Sequence, residues 1–399
     1  MRAPRSTAAA LLALAVVAAG CGRGADSTTT KAKQPEIGAK GTETTAAADL
    51  GFPVFATKNT TRVGGADPVA DAAAVARAVY SGSSRVTRPR AVVLADDRDW
   101  RVGLAASVLM SSPIRAPLLY AHGPDELPAA TKSALAALAP TGSKQAGGAQ
   151  VVRVGDVPEL NGMRTTDLRG ADAPAIARAI DAFQAAARGT TSDRVVVVPA
   201  DSPEYAMPAA AWAAKAGDPI LFTNKDDVPR DTRAAIAAHQ QPKIYVLGPE
   251  SVVSNKALAQ LRRLGTVSRI SGPSPAASSV AFARFVDGNF GWGVVDPGHG
   301  FVFASTKRPG DAAAAAPLSA SGTYGPLLVS DDPAALPPAL QGYLLDVQPG
   351  YTRDPVRGVY NHGWIVGDEG ALSVDSQSRI DALLEIVPVN ERASPSPKP

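Results

Sequence analysis

The chain has 399 residues, with one cysteine, four histidines and 5% aromatic residues. A single cysteine excludes an intramolecular disulfide framework and any multi-cysteine zinc or iron–sulfur site. With 45% hydrophobic and 19% charged residues and a net charge of +3, the composition is that of a globular protein, neither a disordered chain nor a polycation for nucleic acid. Few aromatics and many alanines point to closely packed α/β or helical layers, and the length to two to four domains.

Residues 1–20 open with Met1, Arg2 and Arg5 and continue in an apolar run from Ala8 to Ala19, the pattern of a secretory signal. The run is shorter than the roughly 20 residues a permanent membrane helix needs. Ala18-Ala19-Gly20-Cys21 resembles the bacterial lipobox, with Ala18 where leucine is usual. The resemblance implies that Cys21 is acylated and becomes the new N-terminus; the alternative is an ordinary signal with a chance cysteine. An acylated Cys21 is also unavailable as a nucleophile. Removing residues 1–20 takes away Arg2 and Arg5 and leaves the chain nearly neutral, so an anion site has to be local. Residues 21–60, rich in Thr, Ala, Lys and Gly, read as a flexible tether, and residues 391–399 as a second unstructured segment.

Between residues 61 and 390 one pattern occurs three times. Each copy opens with a glycine-containing turn and a helix, capped by Asp67, Asp172 or Ser274 and closed near Gly82, Gly189 or Gly288. A β-branched strand follows at 91–95, 194–198 and 301–304, suited to burial on both faces of a parallel sheet. Next come Asp99, Glu204 and Asp311, each ahead of an alanine-rich helix and read as its N-terminal cap rather than as catalytic carboxylates. Pro117, Pro219 and Pro326 open a second strand, a position where proline is tolerated, and recur about every 105 residues. Pro128, Pro229 and Pro337 start another helix, and a last strand ends at Gly155, Gly248 or Gly367. Alternating helix and strand predicts mainly parallel, doubly wound α/β modules with helices on both faces. The expected modules cover 61–160, 161–265 and 266–390.

This triple pattern resembles the cell wall binding repeat 2 family. The Pro-Leu-Leu strands at 117 and 326, with Pro-Ile-Leu at 219, and the Asp311-Ala-Ala-Ala segment are the closest matches. The family's Arg-Tyr-x-Thr-Ala is absent from all three copies, and its terminal Gly-Gly is Gly155-Asp156, Gly248-Pro249 and Gly367-Asp368. The resemblance implies flavodoxin- or Toprim-like modules in a pseudo-threefold arrangement. It also implies non-catalytic, non-covalent attachment to an anionic cell-wall polymer or peptidoglycan, with no cofactor.

Arg62 and Arg269 precede the opening helices with glycines between, and Arg169 is the shifted counterpart in the second copy, where Asp167 takes the arginine's place. These three are the polymer-binding candidates, because helix N-termini and guanidinium groups together suit a phosphate or carboxylate. The competing role for them is fixing the turn or forming surface ion pairs. Lys307-Arg308 reads as a solvated face.

Two other functions compete. Asp296-Pro-Gly-His299-Gly300 resembles the start of zinc-dependent N-acetylmuramoyl-L-alanine amidases, with His362 and Glu369 as further candidates. No glutamate lies between Gly300 and His362, however, and no separate stretch remains for such a domain. A transporter substrate-binding lipoprotein would share the lipobox but build two lobes, where the repeats give three units.

Overall fold

The computed structural model describes residues 55–322 and 324–389. Cys21, the signal segment, most of the expected tether and the segment 391–399 lie outside the described residues. The described residues form a single compact unit.

Strands β1 (Phe55–Ala56) and β2 (Thr60–Val63) lead into helix α1 (Pro68–Val79). The first repeat continues with β3 (Val92–Asp96), α2 (Trp100–Ala106), β4 (Leu118–Ala121), α3 (Ala129–Leu138) and β5 (Val151–Val154). The second contains β6 (Thr165–Leu168), α4 (Ala173–Arg188), β7 (Arg194–Pro199), α5 (Pro203–Ala206), α6 (Pro208–Ala216), β8 (Ile220–Thr223), α7 (Arg230–Ala238), β9 (Lys243–Leu247) and α8 (Asn255–Leu261). The third contains β10 (Thr266–Ile270), α9 (Pro275–Arg284), β11 (Gly300–Ser305), α10 (Gly310–Ala320), β12 (Leu327–Ser330), α11 (Pro338–Asp346), β13 (Gly350–Tyr351), β14 (His362–Val366), α12 (Val374–Leu384) and β15 (Val387–Pro388).

Proline and glycine place the elements as their chemistry requires. Pro117, Pro219 and Pro326 sit just before β4, β8 and β12, where no N–H is needed, and their carbonyls accept from Val93, Val196 and Val302. Pro128, Pro229 and Pro337 are the N-caps of α3, α7 and α11. Asp67, Asp172 and Ser274 cap α1, α4 and α9 through their side chains. Only α4 ends on the expected glycine, Gly189. Helix α1 stops at Val79, and Tyr80 leaves in extended backbone so that its hydroxyl donates to the Arg115 carbonyl. Helix α9 stops at Arg284, and the Phe285 ring joins Tyr245 and Phe290.

The sheets have the orders β4-β3-β5-β6, β8-β7-β9-β10 and β12-β11-β14-β2, the last extended by antiparallel β1. All other pairings in these three sheets are parallel. This is a doubly wound order with its switch point between the first and third strands of each sheet.

The opening strand of each repeat completes the sheet of the repeat before it. β6 pairs with β5, β10 with β9, and β2 returns to pair with β14 at the far end of the chain. The helix after that strand then packs on the next sheet: α1 on β4, α4 on β8 and α9 on β12. The three modules therefore interlock in a closed cycle. One bond marks the equivalence: the N–H groups of Gly155, Gly248 and Gly367 donate to Leu168, Ile270 and Val63, each at 3.0 Å. All three glycines have positive φ, where a Cβ is unfavourable.

The inner helices explain the alanine content. Helix α10 is buried from Gly310 to Ser319 and packs against both α1 and α6. Helix α6 is buried from Pro208 to Ala214. Methyl-sized side chains allow helices buried on all sides to approach closely, as close packing of the interior demands.

Candidate functional site

In open α/β sheets a ligand crevice lies beyond the carboxyl ends of the strands, at the switch point. The arginines singled out in the sequence stand at these edges. Arg62, on β2, is 6% exposed. Its Nη1 donates to the carbonyls of Gly367 and Asp368 at 2.9 and 2.8 Å, Nη2 to Leu372 at 2.8 Å, and Nε to Gln377 at 3.0 Å. Arg269, on β10, repeats this arrangement with Gly248 at 2.7 Å and Val253 at 2.6 Å. Burial lowers the Arg269 pKa from the usual arginine value. Both guanidinium groups therefore tie down the loop that follows the neighbouring strand, the turn-fixing alternative.

The second copy reaches the same result by another route. Asp167 occupies the position of Arg62 and Arg269, directly opposite Arg153 on β5. Arg153 donates from Nε to Asp167 at 2.7 Å and from Nη1 to the Pro158 carbonyl at 3.0 Å. Its guanidinium has crossed one strand, to the register position held by Val246 and Ile365 in the other sheets. Hydrogen bonding to Arg153 holds the Asp167 carboxyl below the usual aspartate range. Arg169 remains exposed and reaches Asp167 at 3.4 Å. Arg153 has no prominence in the sequence alone; its available signal is a lone arginine in the apolar run Val151-Val-Arg-Val154.

Arg308 is not on a solvated face. It lies past the end of β11 with a side chain 15% exposed, and bonds to Asp71, Asp311 and Asp368. Asp71 and Asp311 have fully buried side chains. Asp99 caps α2 by accepting from the Arg101 N–H at 3.0 Å, and Glu204 lies in the first turn of α5. Asp311, by contrast, points from the first turn of α10 into the Arg308 cluster instead of capping it. Burial raises the Asp311 pKa to about 6, and raises that of Asp71 well above the usual value, reinforced by the charge of Asp311. In the first module Asp96 and Arg98 form a bidentate pair. The charges described at these crevices are thus largely compensated by internal pairs.

The two histidines of the Asp-Pro-Gly-His string region lie on one sheet edge, where the His362 N–H donates to the His299 carbonyl at 3.0 Å. The His362 ring packs edge-on against Trp364. Burial lowers its pKa, and its Nε2 is buried without a hydrogen-bond partner among the described residues. His362 opens β14 and Glu369 follows its other end, so seven residues of largely extended chain, about 20 Å, separate them. Among the described residues no three His, Cys, Asp or Glu side chains are grouped to hold a metal ion.

Residues 168–258 match the family model of cell wall binding domain 2. The match covers one segment, about a quarter of the chain. The matched segment begins at the last residue of β6 and runs into α8, one full repeat unit. Two solved structures share the fold of the whole cycle. Cwp8 from Clostridium difficile aligns with a TM-score of 0.62 and 17% identity, covering 82% of this chain and 52% of that one. Cwp6 from Clostridium difficile aligns with a TM-score of 0.60 and 17% identity, covering 82% of this chain and 48% of that one. The chain thus spans about half the length of those two chains. No curated protein sequence matches it.

Proposed function

We propose that the protein is a non-catalytic surface lipoprotein that holds an anionic cell-wall polymer through its three α/β modules and bridges membrane and wall. The observation that carries this reading is the cell wall binding domain 2 match in the second repeat, together with the same Gly-to-strand hydrogen bond in all three. Three interlocked sheets also favour it over a two-lobed transporter lipoprotein. The membrane attachment rests on Cys21 following Ala18-Ala19-Gly20. Among the described residues no helix is long and apolar enough to cross a membrane.

The mechanism is multivalent. Contacts along one polymer raise the effective concentration for the rest, so modest individual affinities suffice. Expression of the full chain and its Cys21→Ser variant, with a radiolabelled fatty acid and membrane fractionation, tests the anchor. Label and membrane recovery in the parent but not the variant are expected; equal labelling of both would overturn it.

A further inference from the structure

The ends of the first sheet differ in charge. Beyond the amino ends of β3 and β4 lies a cleft of about 410 Å³ lined by Tyr80, Arg88, Arg90, Pro113, Arg115 and Gln145, among others. No carboxylate lines it. The segments that form it carry none either: no Asp or Glu occurs between Ser81 and Ala95, between Trp100 and Pro124, or between Leu127 and Gly155. The first and last of these segments add Arg85 and Lys144, both exposed. Arg88 is steadied by an Nε bond to the Gly82 carbonyl at 3.2 Å, leaving its outer nitrogens to the cleft. None of the ion pairs among the described residues involves Arg88, Arg90 or Arg115.

Arg115 has a backbone φ of 54°, unfavourable for a residue with a Cβ. The corresponding position in the second module, two residues before the second-strand proline, is Gly217, at φ 79°. The first two modules share this conformation, and glycine satisfies it without strain. The first module keeps a cation there in spite of the strain, which is the pattern expected of a functional position. The Arg115 carbonyl also accepts from the Tyr80 hydroxyl at 2.9 Å. Burial pushes the Tyr80 phenol up to about 12, so it stays a neutral donor. At the corresponding ends of the other modules the cations are paired with carboxylates: Arg194 with Asp193 and Asp218, Lys243 with Asp287, and His299 beside Asp296.

We propose that this cleft binds a phosphate or carboxylate group of the wall glycan, with Arg88, Arg90 and Arg115 as the charged contacts. The three modules then contribute unequally: the first recognises the anion, and the other two build the scaffold and any neutral contacts. The proposal rests on the wall-binding reading but is tested separately from it. Guanidinium groups suit either anion because their paired donors match two oxygens at once.

The test uses the full chain, an Arg90→Gln/Arg115→Gly variant, and an Arg263→Gln/Lys256→Gln control that removes the same charge from exposed positions of the second module. Arg115→Gly removes the cation while relieving the backbone. The probes are a galacturonate oligomer, a glycerol phosphate oligomer, neutral dextran, and vesicles containing phosphatidylglycerol. Calorimetry at low salt is expected to show binding of at least one acidic oligomer by the parent and the control. A loss of at least tenfold is expected in the cleft variant, with an unchanged unfolding midpoint, and no binding of dextran. Equal binding by the cleft variant, or no binding of either oligomer by the parent, overturns the site. Loss confined to vesicles overturns it in favour of a lipid headgroup. Parallel sedimentation with isolated walls separates the two claims: a parent and cleft variant that both sediment leave wall attachment standing and remove this cleft from it.

Discussion

Arg153 and Asp167 face one another across adjacent parallel strands, Nε to Oδ1 at 2.7 Å. Together they do what Arg62 and Arg269 each do alone, holding the loop after the last strand of a sheet onto the next module's opening strand. A side chain only 6% exposed on Arg153 makes the pair interdependent. Asp167→Ala leaves a nearly buried guanidinium without its carboxylate and should lower stability by about 2–3 kcal/mol. The double change Arg153→Val/Asp167→Arg rebuilds the pattern of the second and third sheets and should recover most of that loss. Chemical denaturation of the three proteins checks this; a double variant as unstable as Asp167→Ala would show that the equivalence is only apparent.

The Asp71–Arg308–Asp311 cluster predicts an acid-favoured term in stability. Asp311 is raised by burial from the ordinary value of 3.8 to about 6, and Asp71 is raised too. A carboxyl raised in the folded state binds protons more readily than in the unfolded chain. Its contribution is fully present below about pH 4 and is lost as pH rises through about 6. His362 acts the other way, since burial lowers its pKa and protonation below about 6.5 opposes folding. Asp311→Asn, close in shape to the protonated acid, should remove part of the loss between pH 4 and 7. Unfolding midpoints of parent and variant across that range give the result; parallel pH profiles would mean the cluster does not titrate.

Closure of the cycle depends on β2. A chain beginning at Gly65 lacks the strand that covers the edge of β14, and with it all the Arg62 bonds to Gly367, Asp368 and Leu372. An uncovered parallel edge is a template for pairing with another chain. The truncated protein should unfold at a lower temperature and self-associate, measured by calorimetry and light scattering. A monomer of unchanged stability would argue against the interlocked arrangement.

Metal removal should be silent. Dialysis against a chelator is expected to leave the unfolding midpoint unaltered, and the untreated protein is expected to release no soluble muropeptides from peptidoglycan. Stoichiometric zinc with turnover would instead favour the amidase reading of Asp296-Pro-Gly-His299.

The repeat was legible because proline and glycine act locally. Pro117, Pro219 and Pro326 mark strand starts whatever the surrounding tertiary structure, and the Asp67, Asp172 and Ser274 caps need only their own helices. Which sheet a strand joins is not local. Nothing in Thr60-Thr-Arg-Val63 says that its partner is His362–Val366, about 300 residues away. Arg62 and Arg269 were recognisable as special positions, but only the fold shows that backbone carbonyls take up their donors. Arg308 looked solvent-facing because its partners, Asp71 and Asp368, are distant in sequence and converge only when the cycle closes.

The most direct test of the central claim is sedimentation of the full chain with isolated wall polysaccharide across a salt series. An attachment protein for an anionic polymer should co-sediment at low salt and release progressively as salt screens the contact. A chain that stays in the supernatant at low salt, while a control wall-binding protein sediments, would contradict the account.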